Sequence, residues 1–153
     1  MKIKNIVAIL VLIFSYNLSS AQQNLDIYLS KTVEGTYEEV CTKVEDVLKK
    51  QGFGVITEID MDLKLKEKLE NVDMKGYKIL GVCNPAYAYE TLKIEENIGV
   101  FLPCKAIIRD LGDNKAEVVM VNPSTLMGML GKAELTKIAN EVTDKFKEAL
   151  KQL

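Results

Sequence analysis

Two stretches of the chain carry apolar residues at the spacing of an amphipathic helix. One follows Thr36 and the other begins near Lys132, and each has an apolar residue every three or four positions. Thr36 and Glu39 have the spacing of a capping box, in which each side chain satisfies a backbone N–H of the other residue. Gly52 suits the left-handed position that ends the first helix. The predicted apolar stripes are Tyr37, Val40, Cys41, Val44, Val47 and Leu48 in the first helix and Leu135, Ile138, Ala139, Val142, Phe146 and Leu150 in the second.

Five shorter segments have the alternating or continuous apolar pattern of β-strands. In the second segment Phe53, Val55, Ile59 and Met61 are expected on one face. Gly112–Asn114 lies between the last two segments and predicts a hairpin. The predicted strands cover residues 25–33, 53–61, 77–82, 104–109 and 116–121.

The segments between the strands predict two short helices. Asn84 is favoured at a helix N-cap and Pro85 at the first helical position, so a helix is expected over residues 85–95. Asp62 is a candidate cap for a second short helix that ends near Leu69. The expected irregular segments are a loop at 71–76, an apolar link at 99–103 and a loop at 122–131.

This order of elements predicts an α+β fold in two layers, with helices packed on one face of a mainly antiparallel sheet. The second face of the sheet is less polar than a fully solvated face. Two interpretations stay open: scattered surface apolar residues, which are common, or a homodimer that uses this face. The apolar residues expected there are Ile56, Ile107 and Val119, among Glu58, Lys105, Arg109 and Glu117.

The N-terminus has the three-part layout of a secretory signal peptide over residues 1–21. Lys2 and Lys4 precede the apolar run Ile6–Phe14, and Ser19 and Ala21 place small residues before a cleavage site. The run is shorter than the roughly 20 residues of a membrane span, although an uncleaved anchor is the alternative. We therefore expect an exported protein, periplasmic or extracellular, without stable membrane insertion after signal removal. Residues 22–153 then form a single domain.

The composition excludes several kinds of chemistry. The chain has no histidine and a formal net charge of −2, and Arg109 is its only arginine. Catalysis or metal binding through imidazole is therefore excluded, and a four-ligand zinc site would have only three cysteines and carboxylates to draw on. A mildly acidic chain without a basic cluster does not suit a nucleic-acid partner. We expect no metal and no cofactor.

Two cysteines are the candidates for chemistry. Cys83 precedes a helix N-terminus, where the helix dipole can stabilise a thiolate. Cys104 begins the next strand, so an exported protein could form a Cys83–Cys104 disulfide. The alternatives are two buried, unpaired thiols, or a redox or metal-binding role. Met127 and Met129 lie in the loop at 122–131 and either cover a pocket or fill the core.

Short motifs in the chain resemble the domain of unknown function 302 family. The most specific are CNP at Cys83–Pro85 and LPC at Leu102–Cys104. The resemblance covers most of residues 32–150 and implies a compact α+β domain, similar to the TATA-binding-protein-like architecture and often paired as a dimer. It implies no activity. The supporting motifs are NP at Asn122–Pro123, GFGV at Gly52–Val55 and KLKEKL at Lys64–Leu69.

These observations favour a binding or interaction module, expected to be a homodimer, with no assigned small-molecule ligand. The alternative is a thiol-dependent redox protein or enzyme that uses Cys83. A third hypothesis is a structural envelope protein, whose pocket would be filled by side chains. The candidate binding residues are Cys83, Asn84, Pro85, Pro103, Cys104, Met127 and Met129.

Overall fold

A computed structural model describes residues 26–153. The predicted signal peptide and the first residue of the first predicted strand lie outside these residues. The strands are β1 (Tyr28–Glu34), β2 (Gly54–Asp60), β3 (Tyr77–Cys83), β4 (Cys104–Gly112) and β5 (Lys115–Val121). The helices are α1 (Tyr37–Lys50), α2 (Met61–Lys68), α3 (Pro85–Ile94), α4 (Pro123–Gly128) and α5 (Ala133–Lys151), with a 3-10 helix at Glu96–Phe101.

The five strands form one antiparallel sheet in the order β1-β5-β4-β3-β2. The predicted fold class, α+β in two layers, is confirmed. The predicted hairpin is the β4–β5 pair, and its turn uses positive φ angles at Gly112, Asp113 and Asn114. The buried core lies between one face of the sheet and the helices α1 and α5. We call the other side the open face.

The ends of α1 confirm the predicted local signals. Glu39 donates its backbone N–H to Thr36 Oγ1 at 3.3 Å, and Thr36 donates its own to Glu39 Oε2 at 2.9 Å. At the other end Gly52 has φ +85°, and the Phe53 N–H then bonds Leu48 O at 3.0 Å. These bonds satisfy backbone groups that a helix end leaves without partners. The capping box and the glycine therefore fix where α1 begins and ends.

The core is built from the residue patterns that the two long helices and the central strands predict. Phe146 of α5 is fully buried and packs against Phe53, with ring centroids 4.9 Å apart. A smaller cluster forms where the 3-10 helix meets α4 and α5. In the sheet, the buried residues alternate along each strand, for example Ala106 and Ile108 in β4 and Ala116, Val118 and Met120 in β5.

The predicted faces of β2 are wrong beyond Val55. The pairing of β2 with β3 shifts register between Val55 and Thr57, which marks a β-bulge. A one-residue shift moves every following side chain to the other face. Ile59 was expected in the core but lies on the open face with 40% of its surface exposed, and Glu58 turns to the helix side. Ile56, expected on the second face, lies at the bulge itself.

The loop predicted at 122–131 is partly helical, because α4 occupies its first half. Asn122 precedes Pro123 as Asn84 precedes Pro85, but its side chain does not cap the helix. The cap comes instead from α5, where Thr143 Oγ1 accepts the Ser124 N–H at 3.0 Å. Asn122 Nδ2 donates to Asp26 O at 2.8 Å. The polar side chains of this segment therefore hold α4 against α5 and the start of β1.

Two shorter predictions are also corrected. The apolar link expected at 99–103 belongs in part to the 3-10 helix, where Ile98 is fully buried. Asp62 lies in the first turn of α2 rather than at its cap, and its Oδ1 accepts the Tyr77 N–H at 3.2 Å. In both places a contact with a distant segment determines the local structure.

Candidate functional site

Asn84 organises the junction between β3 and α3. Its Oδ1 accepts the backbone N–H groups of Ala86 at 3.0 Å and Tyr87 at 3.2 Å, which confirms the predicted N-cap. Its Nδ2 donates to Gly52 O at 2.9 Å. One amide therefore joins the start of α3 to the end of α1. Pro85 is exposed at the first helical position, where its missing N–H costs nothing.

Four of the seven predicted binding residues line one small cavity: Cys83, Asn84, Cys104 and Met127. Its free volume is about 20 Å³, which is room for about one water molecule. Apolar side chains occupy most of the surrounding space. The other lining residues are Phe53, Val82, Tyr87, Ala88, Thr91, Leu102, Ile138 and Val142.

Pro85, Pro103 and Met129 do not line this cavity. Pro103 follows a cis peptide bond and packs on Gly81 of β3. A Cβ atom at Gly81 would lie 2.6 Å from Pro103 Cγ, which is closer than two carbon atoms can approach. Met129 follows α4 and is 58% exposed. The structure thus brings the CNP and LPC motifs together, but through close packing rather than around an open pocket.

The three cysteines are unpaired in the structure, which therefore contains no Cys83–Cys104 disulfide, one of the alternatives for this pair. The strand register explains this, because Cys104 lies opposite Val82 and not opposite Cys83. Side chains of adjacent strand residues point to opposite faces. Cys83 and Cys104 are therefore not a cross-strand pair, although both line the same cavity.

The thiols are arranged to stay protonated. Burial raises the pKa of Cys83, and burial with the nearby Cys83 raises the pKa of Cys104 to about 11. Burial also raises the pKa of Cys41, which lies on the core stripe of α1 as predicted. Asn84 already accepts two N–H groups of the α3 N-terminus, so those groups do not stabilise a Cys83 thiolate.

A larger cavity of about 570 Å³ lies at the other end of the sheet. It is acidic, and some of its carboxylates serve local structure: Asp60 pairs with Lys78 at 3.4 Å, and Asp110 accepts the Gly112 N–H at 2.8 Å. Within residues 26–153, no three His, Cys, Asp or Glu side chains are arranged to hold a metal ion. Sequence analysis missed this cavity because its acidic residues, Glu38, Asp60, Asp62, Asp110 and Asp113, come from separate segments.

The open face carries a continuous row of apolar side chains. The register places Ile59 opposite Ile79, Ile79 opposite Ile107, and Ile107 opposite Val119. Ile107 and Val119, both predicted on this face, are therefore neighbours. Because of the bulge, Ile59 rather than Ile56 completes the row. Beside the row, Arg109 is hydrogen bonded to Glu117 on the next strand. A shallow depression of about 490 Å³ follows this part of the face.

Comparison with known proteins identifies the family. The sequence model of the family described as "Domain of unknown function DUF302" matches residues 29–153. The fold is similar to a solved structure described as "uncharacterized conserved protein DUF302 from Bacillus stearothermophilus", with a TM-score of 0.75 and 28% sequence identity. The similarity covers 82% of this chain and 97% of that chain. No curated protein matches this chain. Residues 26–153 contain no helix that is long and apolar enough to cross a membrane. The chain therefore belongs to the DUF302 family.

Proposed function

We propose that this chain is an exported, non-catalytic interaction module that pairs with a second copy through its open face. The observation that carries the proposal is the row of Ile59, Ile79, Ile107 and Val119 across four strands. The main buried cluster of the described residues lies on the opposite face. A contiguous apolar row on a sheet face is typical of a surface that another protein covers.

The size of the open face suits a dimer. Five strands of about seven residues cover roughly 550 Å², at about 4.8 Å between strands and about 3.3 Å per residue. Pairing two copies would bury at most roughly 1,100 Å², the area for full coverage of both faces, which is close to the roughly 1,000 Å² expected of a biological interface. The single arginine does not oppose burial, because Glu117 neutralises Arg109 within the face.

We expect Ile107→Lys to convert the dimer into a monomer. Ile107 lies in the central strand and in the apolar row, so a lysine there would place an unpaired charge at the centre of the interface. The measurement is the molar mass from light scattering after size exclusion. Thermal unfolding checks that the variant folds.

Ile56→Lys is the matched control. Ile56 is 60% exposed but lies at the β2 bulge, outside the paired row, so its replacement should leave the dimer intact. A wild-type monomer at about 100 µM, well above the Kd of a stable dimer, would overturn the proposal. So would an Ile107→Lys variant that still dimerises like the wild type.

The geometry of the junction favours an interaction module over a small-ligand enzyme. A cavity of about 20 Å³ leaves no room for a substrate. A near-filled cavity is also what the third hypothesis, a structural envelope protein, predicts. The redox alternative needs a Cys83 with a lowered pKa, whereas burial raises it. The proposed export rests on the sequence pattern of residues 1–21.

One mass measurement tests both export and the state of the thiols. After secretion from a bacterial host, we expect the mass of residues 22–153, unchanged by reductant. Alkylation in denaturant should then modify Cys41, Cys83 and Cys104. A product that retains residues 1–21 would contradict signal cleavage. Two thiols blocked until reduction would show a disulfide in solution.

The rate of alkylation in the folded protein tests the redox alternative. Cys83 is half-buried and the other two cysteines are buried, so Cys83 should react first. Because its pKa is raised, less thiolate exists at neutral pH than for a free cysteine, and its reaction should be slower. The rate should rise about tenfold per pH unit below that pKa. Reaction faster than free cysteine at pH 7 would favour the redox function instead.

A further inference from the structure

The strand β1 has one free edge. Among residues 26–153 it lies at the end of the sheet and pairs only with β5. Just outside the strand, Ile27 O accepts the Asn122 N–H at 2.7 Å and Gly35 donates to Asn114 O at 2.8 Å, both towards β5. Hydrogen-bonding direction alternates along an antiparallel strand. The backbone N–H and C=O groups of Tyr28, Ser30, Thr32 and Glu34 are therefore directed away from the sheet.

The two edges of the sheet differ in how they resist further pairing. The edge strand β2 contains the bulge between Val55 and Thr57, a common device against strand addition. The edge strand β1 pairs with β5 over seven consecutive residues without a shift. Its regular backbone is a template for another strand.

A groove of about 400 Å³ runs beside β1 and the last turns of α5. Its floor is apolar, because Leu29 and Leu150 are buried there. Its rim holds three lysines, Lys31, Lys147 and Lys151. Lys31 Nζ lies 3.4 Å from Lys151 O, which brings the strand and the helix end together.

The rim keeps a positive character on a chain whose net charge is negative. Lys151 pairs with Glu148 at 3.1 Å, and Lys147 lies 3.9 Å from Asp144, on the exposed side of α5. Neither Asp144 nor Glu148 lines the groove, so the only charged side chains in its lining are the three lysines. Lys31 has no carboxylate within ion-pairing distance among the described residues. The groove therefore favours an anionic occupant.

We propose that the free edge of β1 binds an extended acidic peptide segment of a partner protein as a sixth strand. The peptide backbone would pair with Ser30 and Thr32, as in other strand-addition complexes. Its side chains alternate, so every second one would enter the groove. Apolar side chains there would contact Leu29 and Leu150, and carboxylates would meet the lysines of the rim.

The same charges disfavour a second copy of this chain at the edge. Pairing β1 with its copy would bring together two sets of Lys31, Lys147 and Lys151, and opposed like charges destabilise strand pairs. The edge and the open face thus suit different partners. An anionic amphiphile could use the floor and the lysines, but it would leave the outward backbone groups of β1 unpaired.

The first probe is a blocked seven-residue peptide, Glu-Thr-Val-Thr-Glu-Thr-Val, which presents glutamate and valine on one face. We expect isothermal titration to give a Kd below about 1 mM. Two peptide controls should not bind measurably: one with lysine in place of glutamate, and one with N-methyl groups on alternate residues that block strand pairing. Amide exchange at Ser30 and Thr32 should slow on binding.

Variants of the chain separate the contribution of backbone pairing to peptide binding from the contribution of the lysine charges. Ser30→Pro removes an outward N–H without removing a bond to β5, a position at which edge strands accept proline. The double variant Lys31→Glu with Lys151→Glu reverses the charge of two of the three rim lysines. We expect each to weaken binding by about tenfold or more. Lys137→Glu, also exposed on α5 but away from the groove, should have little effect.

Several results would overturn this assignment. Equal binding of the lysine peptide would remove the charge argument, and full binding to a folded Ser30→Pro variant would remove strand addition. Binding of dodecanoate without binding of the acidic peptide would make the groove a site for anionic amphiphiles. The dimer proposal and the peptide proposal can fail independently, because Ile107→Lys should disrupt the dimer and leave peptide binding unchanged.

Discussion

Replacing Phe146 with alanine is expected to lower the free energy of unfolding by about 3–5 kcal/mol. The side chain is fully buried, and its ring lies 4.9 Å from the ring of Phe53, centroid to centroid, at a 48° tilt. Alanine would lose the burial of the ring and leave a cavity between α5 and the start of β2. Urea unfolding followed by circular dichroism measures the change.

Phe101→Ala is the matched control for this prediction. Phe101 ends the 3-10 helix and is 41% exposed, so it buries less surface. Its loss should cost about 1–2 kcal/mol. Equal losses for Phe101→Ala and Phe146→Ala would mean that the contact between α5 and β2 is not the centre of the core.

The second large effect is expected for Gly81→Ala. The added Cβ would lie 2.6 Å from Pro103 Cγ and 2.1 Å from Thr57 Oγ1. The threonine hydroxyl can rotate away, but the proline ring is rigid, so the strands or the LPC segment must move. Overpacking of this kind costs about 1–3 kcal/mol. The same urea experiment measures the loss.

A second glycine in the sheet provides the control. A Cβ at Gly54 in β2 would have no atom within 4 Å, so Gly54→Ala should change stability by less than about 0.5 kcal/mol. If Gly81→Ala were as stable as Gly54→Ala, the close approach of Pro103 would not constrain the sheet. A double variant with Thr57→Ala measures how much of the cost the hydroxyl contributes.

Local signals in the sequence were enough to predict most of the scaffold. The capping box at Thr36, the glycine after α1 and the Asn84–Pro85 helix start act within a few residues, and the structure places them as predicted. The β4–β5 hairpin depends on three adjacent turn residues and was equally accessible. Such elements need no knowledge of the tertiary structure.

The parts that could not be predicted depend on contacts between distant segments. The β2 bulge is set by pairing with β3, and no residue near Val55 marks it. The cap of α4 comes from Thr143, about 20 residues later. The cysteine geometry depends on the register of β3 with β4, which pairs Cys104 with Val82. Proximity of the CNP and LPC motifs was predicted, but whether it leaves space for a ligand depends on side-chain packing.

Asn84 and Asn122 are each followed by proline, and this order affects how the protein ages chemically. Spontaneous deamidation begins when the next backbone nitrogen attacks the asparagine side chain, and proline has no N–H proton to release. Conversion to aspartate would cost Asn84 its donor to Gly52 O and Asn122 its donor to Asp26 O. The two amides that fasten α1 to α3, and α4 to the start of β1, are therefore protected from the commonest slow damage to asparagine.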